Sequence, residues 1–405
     1  MLYNMVMSKI RLTRDEKIIL AFGPLRGIFD IFSGSFLTAY FVKVSSENLR
    51  YLSLYNILVY LMLAVGSFIF GYIIKKNFKI QTMRLSIIIN AIYFFSILIL
   101  GENIVTNLPL VAFLLGFSAS AYWMPMNSIV SSKVDNNHRT RFTSLCTVAT
   151  QVTNIVVPFL LGSLISASNF MVATVVVFVV SIFQIILSFL FKPIPNAAVG
   201  NLNYKKMFNI VRKNKQVRML MFSKFLSGLS ISGSALKMLI VLLIIEYYKT
   251  DFNLGMITSI TALISIVVVD LYGRYYQNRS DKVAIFLSCL CVIVSLFIFI
   301  WFKVNILLIF FYIFYHIAVS LLCLSLDIRS YNISNQPNLK ALYGEFWSFN
   351  ELFLNIGRII GYSGVLLAGT ISGQTGLTIM LIALTTCIPI GGVFIKRINK
   401  FENGL

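Results

Sequence analysis

The stretch KPIPNAAVGNLNYKKMFNIVRKNKQVR, residues 192–218, is the one long polar segment in a chain of recurring apolar runs. It opens with two prolines and a glycine, which favour a turn or loop, and it ends in a basic amphipathic sequence. This composition predicts a linker, residues 192–217, that ends in a short helix. The linker divides the chain into an N-terminal half, residues 1–191, and a C-terminal half, residues 218–405.

Both halves consist of long apolar runs. Of the 405 residues 58% are hydrophobic and 12% are charged, and the mean hydropathy is +0.86. Runs of about 20 apolar residues are long enough to cross a hydrocarbon core of roughly 30 Å. Lipid offers no partners to backbone groups, so only helices or closed barrels can span it. The runs are continuous rather than alternating, which favours helices and predicts an all-α polytopic membrane protein. The twelve predicted spans, numbered in chain order, are 17–42, 51–74, 81–101, 107–131, 142–166, 169–191, 218–247, 253–274, 282–302, 304–328, 342–370 and 375–395.

The net charge of +20 has a topological explanation. Of the 34 Lys and Arg residues, 26 fall in segments on one predicted side of the membrane, and only four fall in the opposite loops. This asymmetry follows the positive-inside rule and predicts that both termini are cytoplasmic. The basic residues therefore predict contact with anionic membrane lipid rather than nucleic acid. We expect a multi-pass monomer in the plasma membrane of a bacterial cell.

The two halves look duplicated. Gly71 and Gly273 each precede a basic loop, 202 residues apart, and Asn154 and Asn355 each begin an Asn-Ile pair, 201 residues apart. Two six-helix halves joined by a basic loop resemble the major facilitator superfamily over the whole chain. In that family the loop between spans 2 and 3 carries a glycine, an acid and several basic residues, and it latches the halves together on the inner side.

The loop motif is only partly kept here. GYIIKKNFKI, residues 71–80, has Lys75 where the family has its acid, and the second-half copy has Gln277 there. The resemblance implies an inner gate at these loops, with the latching acid moved to Asp270 or Asp281. The implied gate residues are Gly71, Lys76, Lys79, Gly273, Arg279 and Asp281.

Two charged residues interrupt the first span. Arg26 and Asp30, in FGPLRGIFDIFSGSF, are four residues apart and share a helix face. They lie roughly 13 and 19 Å from the start of the span. A charge this deep in a bilayer costs from about 2.5 to more than 10 kcal/mol, so both residues require an explanation.

Span 11 carries a second polar face. Glu351, Asn355, Arg358 and Tyr362 follow one another at spacings of four, three and four residues. Arg26 and Glu351 are at similar depths, as are Asp30 and Arg358. We therefore expect two ion pairs across a central cavity, Arg26 with Glu351 and Asp30 with Arg358. These pairs are either static or part of a transport pathway.

Asp30 is the first candidate for a proton-coupling residue, and Glu351 is the second. Desolvation favours the neutral form of a carboxyl group and a nearby cation favours the ionised form, so a cavity that opens and closes can load and release a proton. Superfamily members that export drugs or lipids often have an acid in span 1, which the resemblance implies for Asp30. Arg26 and Arg358 are suited to an anionic group on the substrate.

Other polar residues give weaker signals. Lys237 either faces the cavity or extends to the outer surface, and His316 either packs or lines the pathway. Tyr122 and Trp123 are candidates for an aromatic cavity wall. Lys224 is expected to reach the inner interface, and Asp327 and Glu345 are expected to pair with Arg329 and Lys340 there. The five cysteines lie in or beside spans, and we interpret them as packing residues.

The sequence also argues against enzymatic activity. It has no phosphate-binding GxxxxGK[ST] loop, no paired-carboxylate motif for a metal, and only two histidines. We expect no cofactor and no bound metal, with a proton gradient as the energy source. The leading hypothesis is a secondary transporter that works by alternating access and exports an amphiphilic or lipid-like compound in exchange for protons. Proton-linked uptake of a small anion is the main alternative, and a non-transport membrane protein is a remote one.

Overall fold

The computed structural model describes residues 12–45, 49–133, 136–190, 202–276 and 282–402. Each of the twelve predicted spans falls on a helix, and this confirms the all-α membrane fold. The helices are Arg14–Ile31 and Leu37–Val44 (span 1), Leu49–Lys75, Lys79–Leu100, Leu108–Lys133, Asn136–Ala167, Phe170–Ser188 (spans 2 to 6), Lys215–Ser230 and Ala235–Tyr248 (span 7), Asp251–Tyr276, Lys282–Phe302, Asn305–Ser334 (spans 8 to 10), and Tyr343–Glu402 (spans 11 and 12).

Spans 11 and 12 form a helical hairpin without a true loop. The long helix Tyr343–Glu402 is interrupted at Gly373, whose φ of 54° and ψ of −132° are not helical. Glycine has no Cβ and adopts positive φ at little cost, so it can reverse the chain between two helices. Among the described residues, nine helices are long and apolar enough to cross a membrane, one of which is this hairpin, and spans 8 and 9 contain shorter apolar helices.

The linker contains the amphipathic helix Tyr204–Lys213. Asn203 caps this helix, because its side chain accepts a hydrogen bond from the Lys206 backbone amide at 2.8 Å. Met207 and Val211 are buried on one face, while Phe208 is exposed on the other. The end of the bundle at which this helix lies is called the linker side below, and the opposite end is called the far side.

The halves approach each other closely along spans 5 and 8. A Cβ atom built on Gly162 would collide with the Asp251 backbone within about 2.7 Å, and a Cβ on Gly255 would overlap the Pro158 carbonyl oxygen. These glycines let the two helix backbones touch, as small residues do at helix interfaces in membranes. Spans 2 and 11 also meet across the halves, and the contacts between them include the candidate site.

Candidate functional site

Span 7 is broken near its middle. Its first helix ends at Ser230, Gly233 has a φ of 60°, and Ser234 caps the second helix by accepting a hydrogen bond from the Lys237 backbone amide at 3.4 Å. The sequence Ser-Ile-Ser-Gly-Ser at this break, residues 230–234, favours caps and turns rather than a continuous helix. A break inside the membrane frees backbone carbonyl groups, and these need donors from neighbouring helices.

Span 11 supplies those donors. Arg358 donates from Nε to the Ser232 carbonyl oxygen at 2.7 Å and from Nη2 to the Ser232 hydroxyl at 3.1 Å. The Tyr362 hydroxyl lies 3.3 Å from the carbonyl oxygens of both Gly233 and Ser234 and donates to one of the two. Arg358 and Tyr362 therefore hold the broken segment in place.

The polar face predicted along span 11 forms a connected chain of hydrogen bonds. Arg358 Nη1 donates to the Asn355 side-chain oxygen at 2.8 Å. The Asn355 amide nitrogen donates to the Glu351 carbonyl oxygen at 2.8 Å and lies 3.5 Å from the Glu351 carboxylate. Asn355 thus links Arg358 to Glu351, and all three side chains are buried.

Tyr60 of span 2 brings the first half into this site. The Arg358 guanidinium carbon lies 4.7 Å from the centre of the Tyr60 ring, within the range of a cation–π contact. The Tyr60 and Tyr362 rings are stacked with their centres 5.6 Å apart. Tyr60 could not be singled out from the sequence, because tyrosines are frequent throughout the chain.

In span 1, Arg26 and Asp30 pair with each other. Arg26 Nη2 lies 3.0 Å from Asp30 Oδ1, and the Arg26 side chain is 5% exposed while that of Asp30 is 46% exposed. Arg26 also lies over the Tyr122 ring of span 4, with 5.2 Å from guanidinium carbon to ring centre. Tyr122 in turn donates a hydrogen bond to the Phe22 carbonyl oxygen at 3.3 Å. The acid of the pair is accessible and the base is enclosed.

Lys237 sits where the two halves meet. Its Nζ lies 4.0 Å from the position that a Cβ on Gly34 would occupy, so its ammonium faces span 1. Gly34 belongs to a π-helical turn, Phe32–Phe36, a local irregularity that is frequent at functional sites. Lys237 is also within electrostatic range of Asp30 and of His316.

Two expected ion pairs across the halves are wrong. Arg26 pairs with Asp30 rather than Glu351, because their four-residue spacing lets them meet on their own helix. Arg358 bonds to Ser232 and Asn355 rather than Asp30, because the broken span 7 offers it a carbonyl oxygen.

The expected partners nearer the linker side also differ. Lys224 does not extend to the surface, because its Nζ bonds to Asp327 of span 10 at 2.9 Å. Glu345 pairs with Lys75 of span 2 instead of a basic residue in its own half. Each of these acids pairs with a lysine on another helix. The order of residues along the chain does not show such a contact.

The two remaining candidates, His316 and Trp123, differ in burial. The His316 ring contacts the Tyr312 ring edge-on, with centres 4.6 Å apart, and its Nε2 is buried with no hydrogen-bond partner among the described residues. Trp123 is 38% exposed, and its ring contacts the ring of its buried neighbour Tyr122 edge-on, with centres 5.3 Å apart. Successive residues on a helix are about 100° apart, which explains why only one of this pair lies against Arg26.

A second set of contacts joins the halves on the linker side. Glu345 Oε1 binds Lys75 Nζ and also accepts a hydrogen bond from the Asn203 backbone amide at 2.7 Å. Tyr343 donates to the Asn127 carbonyl oxygen at 2.6 Å, and Ser348 donates to the Ser67 carbonyl oxygen at 3.0 Å. These bonds connect spans 2 and 4 to span 11, and the bond from Asn203 connects the linker to span 11.

The Lys75–Glu345 ion pair has a basic residue where the family pattern has its acid. Lys75, at the position of the family acid, provides the cation, and Glu345 of span 11 provides the carboxylate. Gly71 lies beside Ser348, Lys79 is buried, and Lys76 lies over the Tyr72 ring at 4.4 Å. Gly273 lies in helix Asp251–Tyr276. Arg279 and Asp281 lie outside the described residues, as does the side chain of Asp270.

Helical spans in two joined halves, with a polar site between them and a broken helix at that site, define a polytopic membrane protein of the secondary-transporter class. The chain belongs to the Major Facilitator Superfamily, whose family model matches residues 25–362. This confirms the resemblance stated from the sequence, and it makes the protein a membrane transporter rather than an enzyme.

Similar proteins agree with this assignment. The chain is 22% identical over 403 residues to the uncharacterized protein YqgE of Bacillus subtilis, covering 98% of this chain and 93% of that protein. It superimposes on a bacterial homologue of the iron transporter ferroportin in an outward-facing state with a TM-score of 0.65, 15% identity, and coverage of 96% and 100%. The human organic anion transporter MFSD10 gives a TM-score of 0.61, 13% identity, and coverage of 94% and 96%. At these identities the two structures support the fold alone.

Proposed function

We propose that the protein is a secondary active transporter that exports an amphiphilic or lipid-like compound in exchange for protons, by alternating access around the site between its halves. In this proposal it acts as a monomer in the plasma membrane of a bacterial cell, with the linker side and both termini in the cytoplasm. It uses the proton gradient and needs no cofactor. The excess of basic residues on the linker side supports this orientation.

The observation that carries the proposal is the unequal exposure of the Arg26–Asp30 pair. Its carboxylate is 46% exposed while its guanidinium is enclosed. A carboxyl group in water next to a cation favours the ionised form, and the same group in a closed cavity favours the neutral form. In this proposal Asp30 exchanges a proton with water in one state of the transporter and keeps it in the next.

Charged and titratable groups from several helices surround Asp30. Arg26 pairs with it from its own helix, the Tyr122 ring of span 4 lies against Arg26, and the Lys237 ammonium of span 7 faces Gly34, one turn further along span 1. When Asp30 takes up a proton, Arg26 loses its counter-charge, and this changes the energy of every contact that Arg26 makes. Protonation is thereby linked to packing between spans. Glu351, buried beside Asn355, is the second coupling candidate.

Proton-linked uptake of a small anion is a second candidate function. Lys237 favours it, since this cation faces the site without forming an ion pair in the described part of the chain. The human neighbour is an organic anion transporter by name, which agrees with such a cargo. Transport of a metal ion is less favoured, because no group of three or more His, Cys, Asp or Glu side chains suited to a metal occurs among the described residues.

Transport by reconstituted protein tests the proposal. The protein is reconstituted into vesicles with its cytoplasmic side facing outward, and the vesicle interior is made acidic. The proton gradient then drives export, which is measured as accumulation of the compound inside the vesicles. A panel of anionic, neutral and cationic amphiphiles is then supplied outside. We expect accumulation of at least one amphiphile that collapses when a protonophore removes the gradient. Accumulation only with the opposite gradient would support uptake, and transport that ignores the gradient would contradict proton coupling.

A further inference from the structure

We propose that the transported compound carries an anionic group and that Lys237 binds it, between the broken span 7 and the π-helical turn of span 1. The proposal rests on the proposed function for the transport step, and it names the chemical class of the cargo. The positive and negative charges at the site are unequal in number.

Three cations and two carboxylates lie in the central part of the site. Arg26 is paired with Asp30 at 3.0 Å. Arg358 is linked to Glu351 through the side chain of Asn355. The third cation, Lys237, has no hydrogen-bond or ion-pair partner for its Nζ within the ranges that the structure describes. The unmatched charge of the site therefore belongs to Lys237.

The two arginines are less suited to be the primary anion site. Arg358 uses all three of its nitrogen atoms for bonds to Ser232 and Asn355, and these bonds hold the break in span 7 together. Arg26 is enclosed and already neutralised by a carboxylate. An anion at Arg358 would have to displace these hydrogen bonds, and one at Arg26 would compete with Asp30, whereas Lys237 Nζ has no ion-pair partner to exchange among the described residues.

Lys237 lies at a position where a bound anionic group would contact both halves. Lys237 lies in the first turn of helix Ala235–Tyr248, where the helix dipole adds positive potential. Its ammonium faces Gly34 of the other half, and the glycine leaves open space there. An anionic group held at Lys237 would contact span 1 and span 7 together, so that its arrival and departure would change how the halves meet.

His316 provides a second unsatisfied polar group close to this place. Its Nε2 is buried without a hydrogen-bond partner among the described residues, and its ring lies 6.0 Å from that of Tyr315, whose hydroxyl donates to the Ile231 carbonyl oxygen at the break in span 7. Buried polar atoms without partners are uncommon in folded proteins, and each one calls for an explanation. A hydrogen bond to the anionic group would satisfy this nitrogen.

The rest of the compound is expected to be apolar and in part aromatic or aliphatic. The rings of Tyr60 and Tyr362 stack near the site, and the Tyr122 ring lies beside Arg26. We therefore infer a small carboxylate or phosphate monoester head on an apolar body. Both head groups are anions that Lys237 can bind, and a binding experiment distinguishes between them.

Binding to the purified protein in lipid nanodiscs tests the inference without any gradient. The probes are octanoate, octyl phosphate, octylammonium and 1-octanol, which share one chain and differ in the head. We expect octanoate or octyl phosphate to raise the thermal unfolding midpoint and to bind at least tenfold more tightly than the other two. Whichever anionic probe binds more tightly identifies the head group. Equal binding of octylammonium or 1-octanol, or binding of none, would overturn the inference.

Variants locate the binding group. Lys237→Gln should weaken the anionic probe at least tenfold, Lys237→Arg should retain most of the affinity, and Lys303→Gln, which removes an exposed lysine at the far side, should change nothing. Unchanged affinity in Lys237→Gln would overturn the assignment. Binding without a gradient separates this inference from the proposed function: the unaltered protein should bind the anionic probe even if it shows no proton-driven transport.

Discussion

At the scale of single residues, the site depends on which charges already have partners. Arg26 has a carboxylate within its own helix, Arg358 has backbone and amide oxygens, and Lys237 has neither within the described residues. Ionised groups inside a membrane are costly unless they are paired or face water. For this reason we propose that the accessible carboxylate of Asp30 responds to a proton and that the ammonium of Lys237 responds to a ligand.

Replacing Asp30 tests the proton-coupling role. Asp30→Asn keeps the size of the side chain and a hydrogen-bond acceptor for Arg26, but it cannot exchange a proton. We expect gradient-driven accumulation to fall to background while exchange of labelled for unlabelled substrate, which needs no net proton movement, continues. Counterflow and accumulation measured on the same vesicles provide the test. Unchanged accumulation in Asp30→Asn would rule out Asp30 as the coupling residue.

Replacing Arg358 tests its structural role. Arg358→Met removes three hydrogen bonds and leaves the Ser232 carbonyl oxygen inside the membrane without a donor. An unsatisfied buried polar group costs about 1–3 kcal/mol, so the unfolding midpoint in detergent should fall by several degrees. Arg397→Met, at an exposed position on the linker side, is the control and should leave it unchanged. An unaltered midpoint in Arg358→Met would mean that other groups hold the break in span 7.

The sequence could predict which residues share a face but not which residues they contact. Charges at helical spacing inside apolar runs identified Arg26, Asp30, Glu351 and Arg358. The partner of Arg358 is a carbonyl group that becomes free only because span 7 breaks, and a hydropathy pattern does not show such a break. Tyr60 was missed because nothing distinguishes it from other tyrosines before the halves are brought together.

At the scale of helices, close backbone contact between spans 5 and 8 joins the halves, and Gly255 makes it possible. Gly255→Ala places a methyl group against the Pro158 carbonyl oxygen, where the helix backbone cannot easily move away. We expect this variant to fold but to lose most transport activity, because the two spans can no longer slide past each other at contact distance. Flux relative to the amount of folded protein, judged by size-exclusion chromatography, measures the effect.

A matched glycine provides the control for that prediction. A Cβ on Gly369 would meet only the Leu377 side chain, at an ordinary 3.7 Å. Gly369→Ala in span 11 should therefore transport at close to the normal rate. Equal loss in both variants would point to a general effect of replacing glycine rather than to the contact between the halves.

Helix positions followed from the apolar runs, but helix irregularities did not. The reversal predicted between residues 370 and 375 lies at Gly373, because a polar, glycine-containing stretch interrupts the hydropathy there. The break at residues 231–234 and the π-helical turn Phe32–Phe36 were not predicted, since apolar residues flank both and the runs look continuous. Their signals are short Ser-Gly sequences, which also occur inside ordinary membrane helices.

At the scale of the whole molecule, the Lys75–Glu345 pair holds the linker ends of the two halves together and includes the linker through Asn203. Glu345→Gln weakens this latch, and we expect a larger fraction of molecules with the linker side open. Distances between spin labels placed on the linker ends of spans 2 and 11 should shift to longer values. The exchange Lys75→Glu with Glu345→Lys should restore the shorter distance. A distribution that neither variant changes would exclude a latching role.

The membrane class and the all-helical fold could be predicted from composition and periodicity, because these depend on the solvent that each segment faces. The inner gate that the resemblance implies at this loop stays a prediction, and the ion pair found there uses other residues than the expected acids Asp270 and Asp281. Lys75 occupies the position of the family's acid. With a positive charge at this position, the ion pair needs an acid on the opposite helix. That acid is 270 residues away in the sequence, so only the packed structure identifies it as Glu345.

The proposed transport requires that the groups around Asp30 and Lys237 face water between the halves rather than lipid. Reaction of a cysteine at position 34 with a membrane-impermeant thiol reagent tests this directly, in protein whose five native cysteines are replaced by serine. Gly34→Cys lies beside Lys237 and should react, because thiolate forms only where water enters. Val176→Cys, on an exposed apolar position of span 6, should not react. A cysteine at position 34 that stays unreactive from both sides of the membrane would contradict the account.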